Sequence, residues 1–441
     1  MSVANSLKSF ALPEIHSLLL PNGGTLYAVP WRELPLVNID LVIPSGAEAD
    51  PPGKGGLADL TAEMLTLGTQ KRSANQLAAD VDGLGATLAA YSGWNATVLH
   101  VLGLNEDFDR LMELIREVTL EAAFAPEEFE LLKKRRIATL VQQKDESQIV
   151  ADERFQEILF QDTPYDHPVH GTLKSLPPLS CREARESFPL GSLPPGSFFV
   201  IVGDIQPETG WRWVETHFPF AEKGEKTPRQ VTFPASRSHF KTFMVDRPDL
   251  TQSQIRLGHI SLPHAHPDFV PFGAMNYILG AGGFSSRLMQ KIRSQLGYTY
   301  GIHSSLEPRL HPGPFKISTF TPTDLTAACL REVFEVLRIF IDQGATAAER
   351  EEAIRFLIGS YPAKFETPGQ IAQKIIQAKL HGLGMEYLAI YPDLVSDVTP
   401  EMIAHAARAY IHPEAMIAVI VGRAENFRRD FESFGPVEVM E

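Results

Sequence analysis

Histidines recur at short spacing in two places, His264-x-His266 and His167-Pro168-Val169-His170. Imidazole nitrogens are common metal ligands, so both pairs could in principle hold a cation. Both lie in proline-rich loops, and neither is followed by an acidic residue at metal-ligand spacing. They therefore read as loop or surface histidines. Gly280-Ala281-Gly282-Gly283 is a glycine cluster of the kind that can cradle phosphate. It follows an apolar helical stretch rather than a strand and lacks Gly-Lys-Ser/Thr, which removes that reading. Cys181 and Cys329 are too few for a disulfide framework or a four-cysteine zinc site. Trp211 and Trp213 flank Arg212 and read as packing residues.

Composition limits what these residues can serve. Of 441 residues, 44% are hydrophobic and 21% charged, with 32 Gly and 33 Pro. That is ordinary globular usage and excludes collagen-like, low-complexity and disordered classes. Basic residues number 40 against 54 acidic, a net charge of −14, which argues against generic nucleic-acid or anionic-lipid binding. The strongest apolar run, Phe198–Val202, is strand length, so no membrane span is expected. The start of the chain has one lysine and no apolar run of signal-peptide length. A cytoplasmic location is expected as the chain stands, or a periplasmic one if a signal peptide has been removed.

The elements come in two runs of the same order. In the first, Thr25–Val29 and Val37–Ile43 read as strands, and Leu57–Leu67 has helical apolar spacing. Ser73 and Gln76 form a capping box before the helix Asn75–Leu84. Strands Thr87–Tyr91 and Thr97–Leu104 follow, then helices Asp107–Leu120, Pro126–Glu146 and Ile149–Phe160. In the second run, strand Gln254–Ile260 leads to helices Phe269–Leu279 and Ser286–Gln295. Strands Tyr298–Ser304 and Phe315–Phe320 come next, then helices Asp324–Asp342, Ala347–Tyr361 and Gln370–Leu380. The repetition predicts an α+β protein of two similar, duplicated domains, each a mostly antiparallel sheet covered by helices. The polar, aperiodic stretch 221–240 reads as the linker between domains 1–220 and 241–441.

A set of short motifs runs through this framework. Gly56-Leu57-Ala58 leads to Met64-Leu65 and Gly68-Thr69, and Leu84-Gly85-Ala86 leads to Ala90-Tyr91. Pro164-Tyr165, Pro168-Val169 and Gly171-Thr172 follow. The second half carries Gly282-Gly283-Phe284-Ser285-Ser286-Arg287-Leu288, Ile292-Arg293, Gly297 and Tyr300. Together these resemble the pitrilysin/insulinase family of inverted-motif zinc peptidases, near its short bacterial and mitochondrial-processing-peptidase branch. The resemblance runs from about Leu20 to about Gly422 and implies a clamshell of two domains.

The family's chemistry uses His-x-x-Glu-His on a first-domain helix, with a Glu on a later helix completing the zinc site. Alignment puts Asp59 and Glu63 at the two His positions, Ala62 at the catalytic Glu and Thr139 at the third ligand. Ala62 has no proton-accepting group and cannot act as general base. Asp59, Glu63 and Thr139 offer only oxygen, which suits Mg²⁺ or Ca²⁺ better than zinc. A helical Asp/Glu pair more commonly forms solvated or salt-bridged carboxylates. No metal is therefore expected on this chain. In the family, an Arg and a Tyr seven residues later hold the substrate backbone, and here they match Arg293 and Tyr300, with Gly282, Gly283 and Phe284 beside them. Arg presents a planar donor fork and Tyr one hydroxyl, so both can bond a carbonyl or an oxyanion. The resemblance implies a non-catalytic subunit, inactive on its own, that binds a peptide or unfolded protein. It would complete the site of a heterodimeric partner carrying His-x-x-Glu-His and zinc. The alternatives are a structural core subunit of a larger complex and a peptide-binding homodimer.

Overall fold

Alternating β-branched and aromatic segments pair into two six-stranded sheets in the computed structural model, which describes residues 11–21, 23–221, 233 and 239–440. The first sheet contains β1 (His16–Leu19), β2 (Thr25–Pro30), β3 (Leu36–Ile43), β4 (Thr87–Ser92), β5 (Thr97–Leu104) and β6 (Phe198–Gly203). Its spatial order is β1-β2-β6-β3-β5-β4. The second contains β7 (Lys241–Asp246), β8 (Gln252–Ile260), β9 (Ile302–Leu306), β10 (Pro314–Pro322), β11 (Ile417–Gly422) and β12 (Val437–Met440), ordered β12-β7-β11-β8-β10-β9. Five strands correspond one to one. In each sheet a central parallel pair, β2/β6 or β7/β11, is followed by an antiparallel run, β6-β3-β5-β4 or β11-β8-β10-β9. Only the outer sixth strand differs, since β1 is antiparallel to its neighbour and β12 parallel. The fold is α+β with two similar domains.

Strand alternation sets what each face meets. On β3, Val37, Ile39, Leu41 and Ile43 enter the core under the first half's own helices, among them Leu57–Met64 and Phe108–Leu120. Val42 points the other way, into a core shared with helix Pro368–Leu380 from the second half. That helix lays Ile371, Ala372, Ile375 and Ala378 against the first sheet. The reciprocal exchange also occurs. Helix Ser147–Leu159, from the first half, packs Phe155, Ile158 and Leu159 against Phe243, Ile417 and Val419 of the second sheet. Gly258 makes room for it, because a Cβ there would lie 3.0 Å from the Phe155 ring and 2.0 Å from the Phe315 carbonyl oxygen. The sheets follow the two halves of the chain, but these two helices cross between them.

Several local expectations need correction. The helices expected at Phe269–Leu279 and Ser286–Gln295 turn π-helical at Tyr277–Ala281 and Met289–Gln295. The strand expected from Tyr298 starts at Ile302, so Tyr298 and Tyr300 lie in the preceding loop and two-residue alternation does not apply to them. Most of the expected linker at 221–240 lies outside the described residues. Among the described residues, no helix is long and apolar enough to cross a membrane.

Candidate functional site

The first-half site is built on helix Leu57–Met64. Gly56 precedes it with φ 95°, a left-handed backbone that suits glycine. Asp50 accepts from the Gly56 and Ala58 N–H groups, 2.9 and 2.8 Å away, and so fixes the first turn. Burial pushes the Asp50 carboxyl up to about 6, against the lowering effect of these bonds. Asp59 is 2% exposed. Its Oδ2 accepts from Arg136, 2.8 Å away on helix Pro126–Gln143, and lies 3.0 Å from His170 Nδ1. The same guanidinium pairs with Glu63. Four residues of helix separate the two carboxylates, which places them on one face, and one arginine bridges both.

These residues do not fit the family's zinc. Ala62 is fully buried and offers no donor. Both carboxylates are committed to a guanidinium, a permanent cation with no lone pair to give a metal. The residue that reaches them from the second helix is Arg136, not Thr139. Thr139 is exposed and its hydroxyl donates back to the Arg135 carbonyl at 3.1 Å. The Asp59 and Glu63 carboxylates are both salt-bridged to Arg136, with Asp59 buried rather than solvated. His170 joins the cluster although its sequence spacing gave no acidic partner, because Asp59 lies 111 residues away along the chain.

The second-half site is a cleft beside edge strand β9, about 470 Å³ in volume. Gly283, at φ 61°, turns the chain so that Phe284 projects outward, 65% exposed. Arg293 rises from the π-helical turn Met289–Gln295, and Tyr300, 75% exposed, from the loop before β9. The Arg293 guanidinium sits 4.6 Å from the Phe284 ring centre and 4.4 Å from that of Tyr300. Two aromatic faces therefore hold the cation through its π-surface. Among the described residues no carboxylate pairs with Arg293, so its edge of N–H donors stays available. Gly282 permits a tight turn here, since a Cβ would meet the Tyr277 carbonyl oxygen at 2.8 Å.

The floor of this cleft was not legible from motifs. Arg256 on β8 makes a two-pronged pair with Asp152 at 2.9 and 3.0 Å, and Lys316 on β10 bonds the same carboxylate at 2.8 Å. Asp152 comes from the crossing helix Ser147–Leu159, so the first half contributes to the second-half cleft. Burial alone would raise its carboxyl, but bonds from Arg256 and Lys316 outweigh burial and hold it below the usual range. Partial desolvation, then the nearby Arg256 and Lys316, push the His303 imidazole below its ordinary value. Two arginines, Arg256 and Arg293, and Lys316 thus line a cleft whose lining includes one carboxylate, an environment suited to carbonyl or carboxylate oxygen. The cleft includes none of Asp59, Ala62, Glu63 or Thr139.

Residues 33–173 match the family model "Insulinase (Peptidase family M16)" and residues 194–357 match "Peptidase M16 inactive domain". The chain belongs to the pitrilysin/insulinase (M16) family, in its inactive-type branch. An uncharacterized zinc protease of Rickettsia bellii is 26% identical over 378 residues, 86% of this chain and 88% of that one. A Helicobacter pylori protein named as a non-peptidase homolog, YmxG, is 25% identical over 337 residues, 76% of this chain and 77% of that one. The solved structure of a peptidase M16 inactive domain from Pseudomonas fluorescens superposes with a TM-score of 0.84 at 23% identity. It covers 93% of this chain and 98% of that one.

Proposed function

We propose that this chain is the non-catalytic subunit of a heterodimeric zinc metallopeptidase, binding an extended peptide and completing its partner's active site with Arg293 and Tyr300. The observation that carries this reading is the Arg293 guanidinium, clamped between Phe284 and Tyr300 with its donor edge unclaimed by any carboxylate among the described residues. A core scaffold has no need for an exposed cation and two exposed rings held in register. The partner would supply the metal and the general base, since Ala62 and the Arg136-bound carboxylates cannot. Inactivity of the chain alone follows from the same residues, and the name of the Helicobacter relative is consistent with it.

The experiment is reconstitution. The purified chain is expected to hold no stoichiometric zinc and to cleave no peptide, whereas the complex isolated from its native source contains a His-x-x-Glu-His subunit and cleaves. Arg293→Ala should lower kcat/KM of the reconstituted complex by tenfold or more, the loss of about one good charged hydrogen bond, with assembly unchanged. One zinc per isolated chain with activity would refute the proposal. So would a mixed complex indifferent to Arg293→Ala.

A further inference from the structure

A second cavity, about 200 Å³, lies among the second-half helices, away from both sites above. It is bounded by helices Phe269–Asn276, Pro368–Leu380 and Glu386–Ser396 and by the turn Pro362–Phe365. Two lysines line it, Lys364 and Lys374, and among its lining residues there is no carboxylate. Lys374 donates to the Gln377 side-chain oxygen, 3.4 Å away, and Lys364 lies 5.8 Å from the Tyr361 ring centre. Neither contact is strong.

The remaining wall is aromatic. Tyr361 and Tyr391 stack at 4.7 Å, and Tyr387 meets Tyr391 edge-on at 5.8 Å. His264, 9% exposed, shares a 2.7 Å hydrogen bond with His381. Each charged side chain facing the cavity is a cation, and each titratable neighbour is driven toward its neutral form. Desolvation, then Lys364, lowers Lys374, and desolvation lowers Lys364. His264 falls to about 3, through burial and then His381 and Lys374, and burial brings His381 to about 4. Two lysines turned into an apolar, tyrosine-walled space with no counter-ion among the described lining residues form a poor resting arrangement for a surface pair. They form a good one for a site that takes its anion from solution.

We propose that this cavity binds a small organic anion, a carboxylate carried on a flat apolar body. The carboxylate would lie between Lys364 and Lys374, and the ring would lie along the tyrosine wall. The volume suits a single-ring acid and excludes a nucleotide or an extended peptide. The Tyr361 hydroxyl is already committed to the Leu388 carbonyl at 2.8 Å, so the lysines supply the recognition.

The test is calorimetric titration of the full chain with benzoate, with benzamide as its uncharged isostere and with inorganic phosphate. Benzoate should bind at one per chain and at least tenfold more tightly than benzamide, and equimolar phosphate should not displace it. Lys364→Gln/Lys374→Gln should lose at least tenfold in benzoate affinity while unfolding at the wild-type temperature or above, and Lys374→Arg should retain most of the affinity. Equal affinities for benzoate and benzamide, phosphate binding in place of benzoate, or full affinity in a folded double variant would each overturn the proposal. If the double variant does not fold, the benzoate-to-benzamide ratio on the wild-type chain decides.

Discussion

Replacing Arg136 isolates what took the place of the metal site. In Arg136→Met most of the stem's packing is kept and the cation shared by Asp59 and Glu63 is removed. The Asp59 side chain is 3% exposed and cannot regain water, whereas that of Glu63 is 35% exposed and can. The loss is therefore dominated by one buried carboxylate. Removing one member of a buried ion pair costs roughly 3–5 kcal/mol. His170 still offers Asp59 a partner at 3.0 Å, which puts the expected loss at the low end, about 3 kcal/mol. With a urea dependence of roughly 3 kcal/mol/M for the unfolding unit, the unfolding midpoint should fall by about 1 M. Adding Asp59→Asn removes the buried charge and should restore most of the loss. The assay is urea unfolding followed by circular dichroism. An unfolding free energy within about 0.5 kcal/mol of wild type for Arg136→Met would refute the reasoning, because it would mean that the carboxylate is not held dry. Further destabilisation on adding Asp59→Asn would refute it equally.

Three other outcomes follow from the same geometry. Restoring the family's ligands with Asp59→His, Ala62→Glu, Glu63→His and Thr139→Glu should leave zinc affinity poor while Arg136 stays. Adding Arg136→Ala should raise that affinity at least tenfold in competition with a chromophoric chelator, and equal affinities would count against electrostatic occupation of the site. The Glu349 carboxyl stands at about 2, since bonds from Arg287 and Thr346 overcome burial, and its ordinary value is 4.5. Its contribution is therefore complete above 4.5 and lost as pH falls toward about 2, whereas Asp50, raised from 3.8 to about 6, makes the chain less stable as pH rises through that window. Glu349→Gln should flatten the unfolding temperature between pH 5 and 2, and Asp50→Asn should flatten it between 3.8 and 6; unchanged slopes would contradict both. Phe155→Ala should cost about 3–5 kcal/mol, as for a fully buried aromatic, and the loss should appear in the unit containing the second sheet. A cost below about 1 kcal/mol would mean that the crossing helix does not pack there.

Periodicity made the repeat legible because each half spends its apolar residues on one sheet face and one set of helices. The Ser73/Gln76 capping box is present as expected, and the sequence spacing locates helices to within a few residues. Strands β7, β11 and β12 were not anticipated. β11 is buried on both faces, so Ile417–Gly422 is a continuous apolar run without alternation. The π-helical turns under Phe284 and Arg293 could not be read either, because one inserted residue per turn leaves no compositional trace. Long-range partners were the main loss. Arg136 bridges Asp59 and Glu63 across two helices, and Asp152 pairs with Arg256 across 104 residues. Motif spacing reports neighbours on one element and is silent about such contacts.

The two halves put arginine to opposite uses, and the contrast bears on how catalysis could have been lost. Arg136 is consumed, because two carboxylates and a helix face close around it. Arg293 is kept free along its edge by rings that hold only its faces. Had the first half merely lost its zinc ligands, its carboxylates would face solvent and a few substitutions would suffice to rebuild the site. Instead the position is filled by a salt-bridged cluster that stabilises the fold, so selection on stability alone would preserve it. No such stability argument explains Phe284 and Tyr300. Together they place two large rings in water around a cation that no carboxylate among the described residues neutralises, an arrangement that folding does not favour and that an incoming carbonyl or carboxylate would.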